Sequence, residues 1–97
     1  MDTPANPEAF YNNLKEKLYD TAIWPSEYLY KFIVKTDLLK IKTIESVFDN
    51  MGADIKTIPS RKGNYTSVSI NVVMQTPESV IVKYKEVGSQ VEGVISL

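Results

Sequence analysis

The chain has 97 residues, 43% hydrophobic and 24% charged, with 11 basic and 12 acidic side chains and a formal net charge of -1. That is enough chain for one domain, which at this size buries roughly 65% of its unfolded surface, and the composition is globular rather than disordered. A near-neutral chain has no global field to draw in DNA or an anionic membrane. With no Cys and no His, disulfides, thiolate metal sites, cysteine nucleophiles and a Ser-His-Asp triad are excluded.

Residues 1–6 are polar and expected to be disordered. Pro7 suits the first turn of a helix with Asn6 as its cap. Phe10, Leu14 and Leu18 then recur every four residues, which predicts an amphipathic helix over residues 7–20. Trp24-Pro25 is expected to be extended, because a residue before proline avoids the helical region. From Glu27 to Lys35 the pattern alternates. Tyr28, Tyr30, Phe32 and Val34 share the aromatic, apolar face and are assigned to the core; Leu29, Lys31, Ile33 and Lys35 share the other. Asp37 can cap a second helix whose buried stripe is Ile41, Ile44, Val47, Phe48 and Met51, with Gly52 as its stop.

Asp54 to Ser60 reads as a strand, and Pro59, which cannot donate to a ladder, places it on a sheet edge. Lys62-Gly63-Asn64 reads as a hairpin turn, since Gly and Asn tolerate positive φ. In Thr66 to Met74, Val68, Ile70, Val72 and Met74 alternate with Ser67, Ser69, Asn71 and Val73. Thr76-Pro77-Glu78 opens a third helix with buried Val80, Ile81, Tyr84 and Val87, closed at Gly88. Val91 to Leu97 reads as a last strand. After the first helix the order is β-α-β-β-α-β. The expected fold is therefore α+β: a ferredoxin-like split β-α-β sandwich, four antiparallel strands in the order 4-1-3-2 with an extra N-terminal helix. Residues 7–97 form a single domain.

The run Pro59-Ser60-Arg61-Lys62-Gly63-Asn64-Tyr65-Thr66-Ser67-Val68-Ser69-Ile70 resembles the signature of the YbeD-like family of small bacterial proteins. Trp24-Pro25, Tyr30-Lys31 and an apolar last strand ending at Leu97 match it too, so that the resemblance spans about residues 14–97. It implies a ferredoxin-like fold similar to the small-molecule-sensing ACT domains and carries over no established activity. Lys35-Thr36-Asp37 stands where that family commonly has a glycine, so the close backbone approach to an amino-acid ligand that a glycine permits is not expected.

Two candidate binding surfaces follow. Ser60, Arg61, Lys62, Gly63, Asn64 and Tyr65 collect two cations and turn amides that could form a donor nest for an anion or phosphate; the plainer reading is turn geometry plus two cations that keep an edge soluble. Lys31, Ile33, Lys35, Ser67, Ser69 and Asn71 lie on the open sheet face, together with Leu29 and Tyr65. An RNA-recognition domain stacks bases on aromatics there. Here Ser67 and Ser69 stand in the aromatic positions, so nucleic acid is not expected. The plainer reading is that the first helix or a second subunit covers this face.

The carboxylates are dispersed. Asp49 and Asp54 flank a helix stop with no calcium-loop spacing, and Glu45 with Asp49 reads as a solvated helix face. Met51 and Met74 sit at core phases. No catalytic residue, metal ligand or cofactor is assigned. The chain reads as a non-enzymatic, ACT-like regulatory or protein-interaction module. The alternatives are a small-ligand or anion sensor and, behind it, a single-stranded RNA binder. The acidic amino terminus lacks a signal peptide's basic start, and no apolar run approaches about 18 residues, so the expectation is a cytoplasmic protein without a membrane partner. A homodimer is expected, through the edge of the last strand (Val91, Val94, Ile95), the open face, or both.

Overall fold

A computed structural model describes residues 7–97; the expectations for residues 1–6, including the Asn6 cap, lie outside the described residues. The elements are α1 (Pro7–Thr21), β1 (Ser26–Lys35), α2 (Leu38–Val47), β2 (Asp54–Pro59), β3 (Tyr65–Met74), α3 (Pro77–Gln90) and β4 (Ile95–Ser96). The four strands make one sheet in the order β2-β3-β1-β4, and every neighbouring pair is antiparallel. Read from the β4 edge the order is 4-1-3-2, and the Pro59 strand lies on an edge as its missing donor requires.

Alternation decides which side of the sheet is covered. Tyr30, Phe32, Val34, Val68, Ile70, Val72 and Met74 are all buried on one side, against Ile44, Val47 and Phe48 of the α2 region and Val80, Tyr84 and Val87 of α3. Each large apolar side chain buried there contributes about 1.5–3 kcal/mol. The aromatic face of β1 supplies a ring cluster: Tyr30 meets Tyr84 and Phe48 with centroids 4.9 Å apart in both cases. The Tyr30 hydroxyl donates to the carbonyl of Val80 at 3.0 Å, so the one polar atom of that ring is not stranded in the core.

Both predicted caps form. The Asp37 carboxylate accepts from Leu39 N at 2.9 Å and Lys40 N at 3.3 Å. Thr76 and Ser79 make a reciprocal capping box, with Pro77 in the first turn of α3. The predicted helix ends do not hold. α2 stops at Val47 rather than at Gly52, because Phe48 N and Asp49 N turn back to Glu45 O and Ser46 O in tight i to i−3 bonds. Lys83 Nζ satisfies the Val47 carbonyl at 2.9 Å, and Asn50 takes the left-handed conformation (φ 62). Met51 therefore packs on the core from a turn.

Gly88 does not close α3. The helix runs on to Gln90, which carries Val91, 2% exposed, into the core one turn beyond Val87. The left-handed turn falls at Gly93 instead (φ 75), and the last strand shrinks from the expected Val91–Leu97 to Ile95–Ser96. It pairs with Phe32 and Ile33, and Leu97 N donates to Lys31 O at 3.0 Å. The edge proposed for dimerisation is thus two residues long, with Val91 buried and Val94 packed against the core. So short an edge strand is itself protected against pairing.

α1 lies on α3, on the helical side. Tyr11 stacks on Tyr84 at 6.5 Å, and Leu14 and Leu18 pack against the core. The Tyr19 hydroxyl donates to the Glu78 carboxylate. Trp24 Nε1 donates to Leu18 O at 3.0 Å and closes the end of the helix; the Trp24–Pro25 bond is cis. Of the two covers expected for the open sheet face, the first helix or a second subunit, the helix is not the one: its apolar stripe is spent on the other side of the sheet.

Candidate functional site

The hairpin between β2 and β3 is held by Ser60. Its N–H donates to Tyr65 O at 2.6 Å, its carbonyl accepts from Gly63 N at 2.8 Å, and its Oγ accepts from Tyr65 N at 3.1 Å. Gly63 has φ 78, so the predicted positive-φ position is occupied by the residue that bears it without strain. The loop is also tied to β1: Thr36 N donates to Asn64 O at 3.0 Å, and the hydroxyls of Thr36 and Thr66 lie 2.9 Å apart. Arg61, Lys62 and Asn64 are exposed.

This geometry changes what the loop can do. The amides of Ser60, Gly63 and Tyr65 are used inside the turn, and the neighbouring start of α2 is capped by its own carboxylate, Asp37. What remains on the loop for an anion is the two exposed cationic side chains and the amides of Arg61, Lys62 and Asn64.

The open face carries the second group. Across β1 and β3 the register sets Lys35 beside Tyr65, Ile33 beside Ser67, Lys31 beside Ser69 and Leu29 beside Asn71. β2 extends these rows with Ile58 beside Ser67, Lys56 beside Ser69 and Asp54 beside Asn71, while β4 places Ile95 beside Ile33. Among the described residues, none of the three helices lies on this side. Leu29, Ile58, Tyr65, Val73 and Ile95 are exposed there, Leu29 at 62% and Ile58 at 60%. The predicted face residues thus come together on one surface, and Tyr65 joins them to the hairpin. Ile58, Val73 and Ile95 were not picked out as part of the surface. The alternation of Asp54, Lys56 and Ile58 was the legible signal for the first of them. Val94, named above for the edge of the last strand, packs against the core.

Elsewhere, an open groove of about 420 Å³ runs between the end of β3 and α3, lined by Met51, Val73, Val82, Lys83 and Glu86 among others. The Lys83 ammonium there is already engaged with Val47 O and lies 3.4 Å from Glu86 Oε1. Shifted proton affinities occur at Tyr30 and Tyr84, whose phenols burial holds well above the ordinary range. They occur also at the Tyr19–Glu78 pair, where the mutual hydrogen bond raises the phenol and lowers the carboxyl. These four groups sit in the core or between α1 and α3, outside both candidate surfaces. No described helix is long and apolar enough to cross a membrane.

Among known proteins, the chain is similar to a UPF0250 protein of Vibrio parahaemolyticus, with 36% identity over 80 residues, covering 78% of this chain and 86% of the relative. No protein-family profile matches the chain, and no solved structure matches it. Identity at that level over most of both chains, with the hairpin signature Pro59–Ile70 set on a four-stranded antiparallel sheet, places the chain in the UPF0250, or YbeD-like, family of small bacterial proteins.

Proposed function

We propose that this chain is a non-enzymatic interaction module of ferredoxin-like, ACT-like architecture that works as a homodimer in the cytoplasm, with its open sheet face as the contact surface. The observation that carries this reading is the sidedness of the sheet. All three helices pack on one side of the sheet, while Leu29, Ile58, Tyr65, Val73 and Ile95 stay exposed together on the other; Leu38 and Leu39 at the start of α2 and Val82 on α3 are exposed away from that face. Apolar side chains gathered on one face, rather than scattered singly, mark contact sites in soluble proteins. The lack of Cys and His leaves the surface few means of acid–base or nucleophilic chemistry near neutral pH, which supports a binding role over a catalytic one.

The test is native mass spectrometry of the wild-type protein and of Leu29→Lys. A defined assembly that Leu29→Lys abolishes without lowering the melting temperature supports the reading. A wild-type protein monomeric throughout, or an assembly indifferent to Leu29→Lys, overturns it.

A second reading has its own observation: the Ser60-braced hairpin holds Arg61 and Lys62 out into solvent, where they could contact an anion. Phosphate should then raise the melting temperature by mass action, and changing both residues to Ala should remove the rise. Equal phosphate effects on both proteins would leave the loop as turn geometry.

A further inference from the structure

The net charge of -1 hides a separation of charge along the strands. At the end where β1 finishes, Lys35 stands beside Tyr65. Thr36 N donates to Asn64 O there, which joins the β1–α2 turn to the hairpin that carries Arg61 and Lys62. α2 starts from the same turn, and Lys42 lies one helical turn in. All four cations are exposed. The turns at that end carry two acids. The Asp37 carboxylate is spent on Leu39 N and Lys40 N, and Glu92 lies across β1 from the hairpin, on the β4 side. The exposed acids Asp20, Glu27, Asp49 and Asp54 sit at the opposite end, around the starts of β1 and β2.

Among these cations two large apolar side chains point outward. Leu38 and Leu39, in the first turn of α2, are 68% and 74% exposed. Helical side chains lean toward the N-terminus of their own helix, so this pair projects past the end of the sheet. Burying such a tip takes an apolar medium for the leucines and negative charge around it. A peptide or small ligand is held in a concavity, whereas these side chains stand out from their surroundings. A fluid surface closes around a projection of that shape.

We propose that this end of the molecule docks peripherally on an anionic lipid surface. Leu38 and Leu39 enter the boundary between headgroups and acyl chains, and Lys35, Lys42, Arg61 and Lys62 lie against the headgroups. Apolar insertion and attraction to anionic lipid add in such contacts, and together they give a reversible attachment rather than a spanning one. The charge separation orients the approach, with the cationic end toward the surface and the acidic end away from it. The contact uses the end of the sheet and leaves its open face free, so it does not rest on reading that face as an interaction surface. It departs from the expectation, drawn from net charge, of a chain without a membrane partner, because net charge averages over two unlike ends.

The test is co-sedimentation of the full chain with vesicles of phosphatidylcholine alone and of an equal mixture of phosphatidylcholine and phosphatidylglycerol. The wild type should bind the mixed vesicles, not the neutral ones, and bind less as salt is raised. Leu38→Ser/Leu39→Ser should weaken binding about tenfold or more. Arg61→Ala/Lys62→Ala should weaken it about fivefold for each cation removed. Both pairs are exposed, so the wild-type melting curve should be kept. Lys15→Ala/Lys17→Ala, an equal loss of charge on α1, should weaken binding far less. A wild type that binds neither vesicle, or both alike, overturns the proposal. So does a leucine pair variant that binds as well as the wild type, which would mean headgroup charge alone, or an α1 pair that costs as much as the hairpin pair. A wild type that binds polyglutamate in solution but not the mixed vesicles overturns it in favour of an acidic polypeptide.

Discussion

The ammonium of Lys83, on α3, donates to the carbonyl oxygen of Val47 at the end of α2 at 2.9 Å. The two residues are 36 positions apart, and the contact supplies an acceptor-side cap that α2 lacks in its own sequence. The same ammonium lies 5.9 Å from the centre of the Phe48 ring. Replacing Lys83 with Met keeps the stem and removes the donor. The expected cost is about 1.5 kcal/mol, the size of a hydrogen bond to a charged group, read from the midpoint of urea unfolding. Glu86→Gln, which removes only the exposed ion pair with Lys83, should cost less than about 0.5 kcal/mol. Equal losses from both would show that the pair, and not the cap, carries the effect.

Tyr30 tests the core in the same way. Tyr30→Phe removes the donor to Val80 O and leaves the ring packing intact, for an expected loss of about 1 kcal/mol. The buried phenols also set an alkaline limit. Burial raises the folded-state pKa of Tyr30 and Tyr84 above the ordinary phenol value. Below the unfolded value, near pH 10, both states hold the proton and the stability is fully present. Above it the unfolded chain ionises while the folded one does not, so stability falls as pH rises. Urea midpoints on either side of that value should drop with a shallower slope in Tyr30→Phe than in the wild type.

The Tyr19–Glu78 contact sits at the opposite end of the pH scale. The hydrogen bond from Tyr19 holds the Glu78 carboxyl below its usual value. Its contribution is therefore present above the unfolded carboxylate pKa and lost as pH falls through the folded one. In Tyr19→Phe that acid-side loss should disappear from the melting curve. α1 itself is held by packing: Leu18→Ala should cost about 1–2 kcal/mol for a half-buried leucine. Deletion of residues 1–20 should lower the melting temperature further. A truncated protein with the wild-type melting temperature would show that α1 adds nothing to the fold.

Two glycines make opposite predictions. A Cβ at either Gly63 or Gly88 meets nothing within 4 Å, so backbone conformation alone decides the sign. Gly63 has φ 78, and Gly63→Ala should destabilise by about 1–2 kcal/mol, with Gly63→Val worse because β-branched residues fit that region least. Gly88 lies inside α3, and Gly88→Ala should stabilise by about 0.5–1 kcal/mol. Thermal unfolding of the two alanine variants checks both.

Local chemistry determined much of this protein from the sequence alone. The alternation in β1 and β3, the Asp37 and Thr76 caps, the turn at Gly63 and the edge position forced by Pro59 are each decided by neighbours a few residues away. Where the chain stops being regular was decided by distant contacts. α2 ends early where Lys83 takes the Val47 carbonyl. α3 runs through Gly88 because Val91 gains a place in the core. β4 is short because Val91 turns into the core and the chain reverses at Gly93 before it can pair with β1. Most of the candidate surface residues were likewise legible, Ile58, Val73 and Ile95 excepted, but not what surrounds them. The apolar stripe Phe10, Leu14 and Leu18 shows that α1 must be covered, and only the tertiary structure, which packs Tyr11 rather than Phe10 on Tyr84, decided that the cover is α3. That choice, which burial favours because it joins an existing aromatic core, is what leaves the other face of the sheet open.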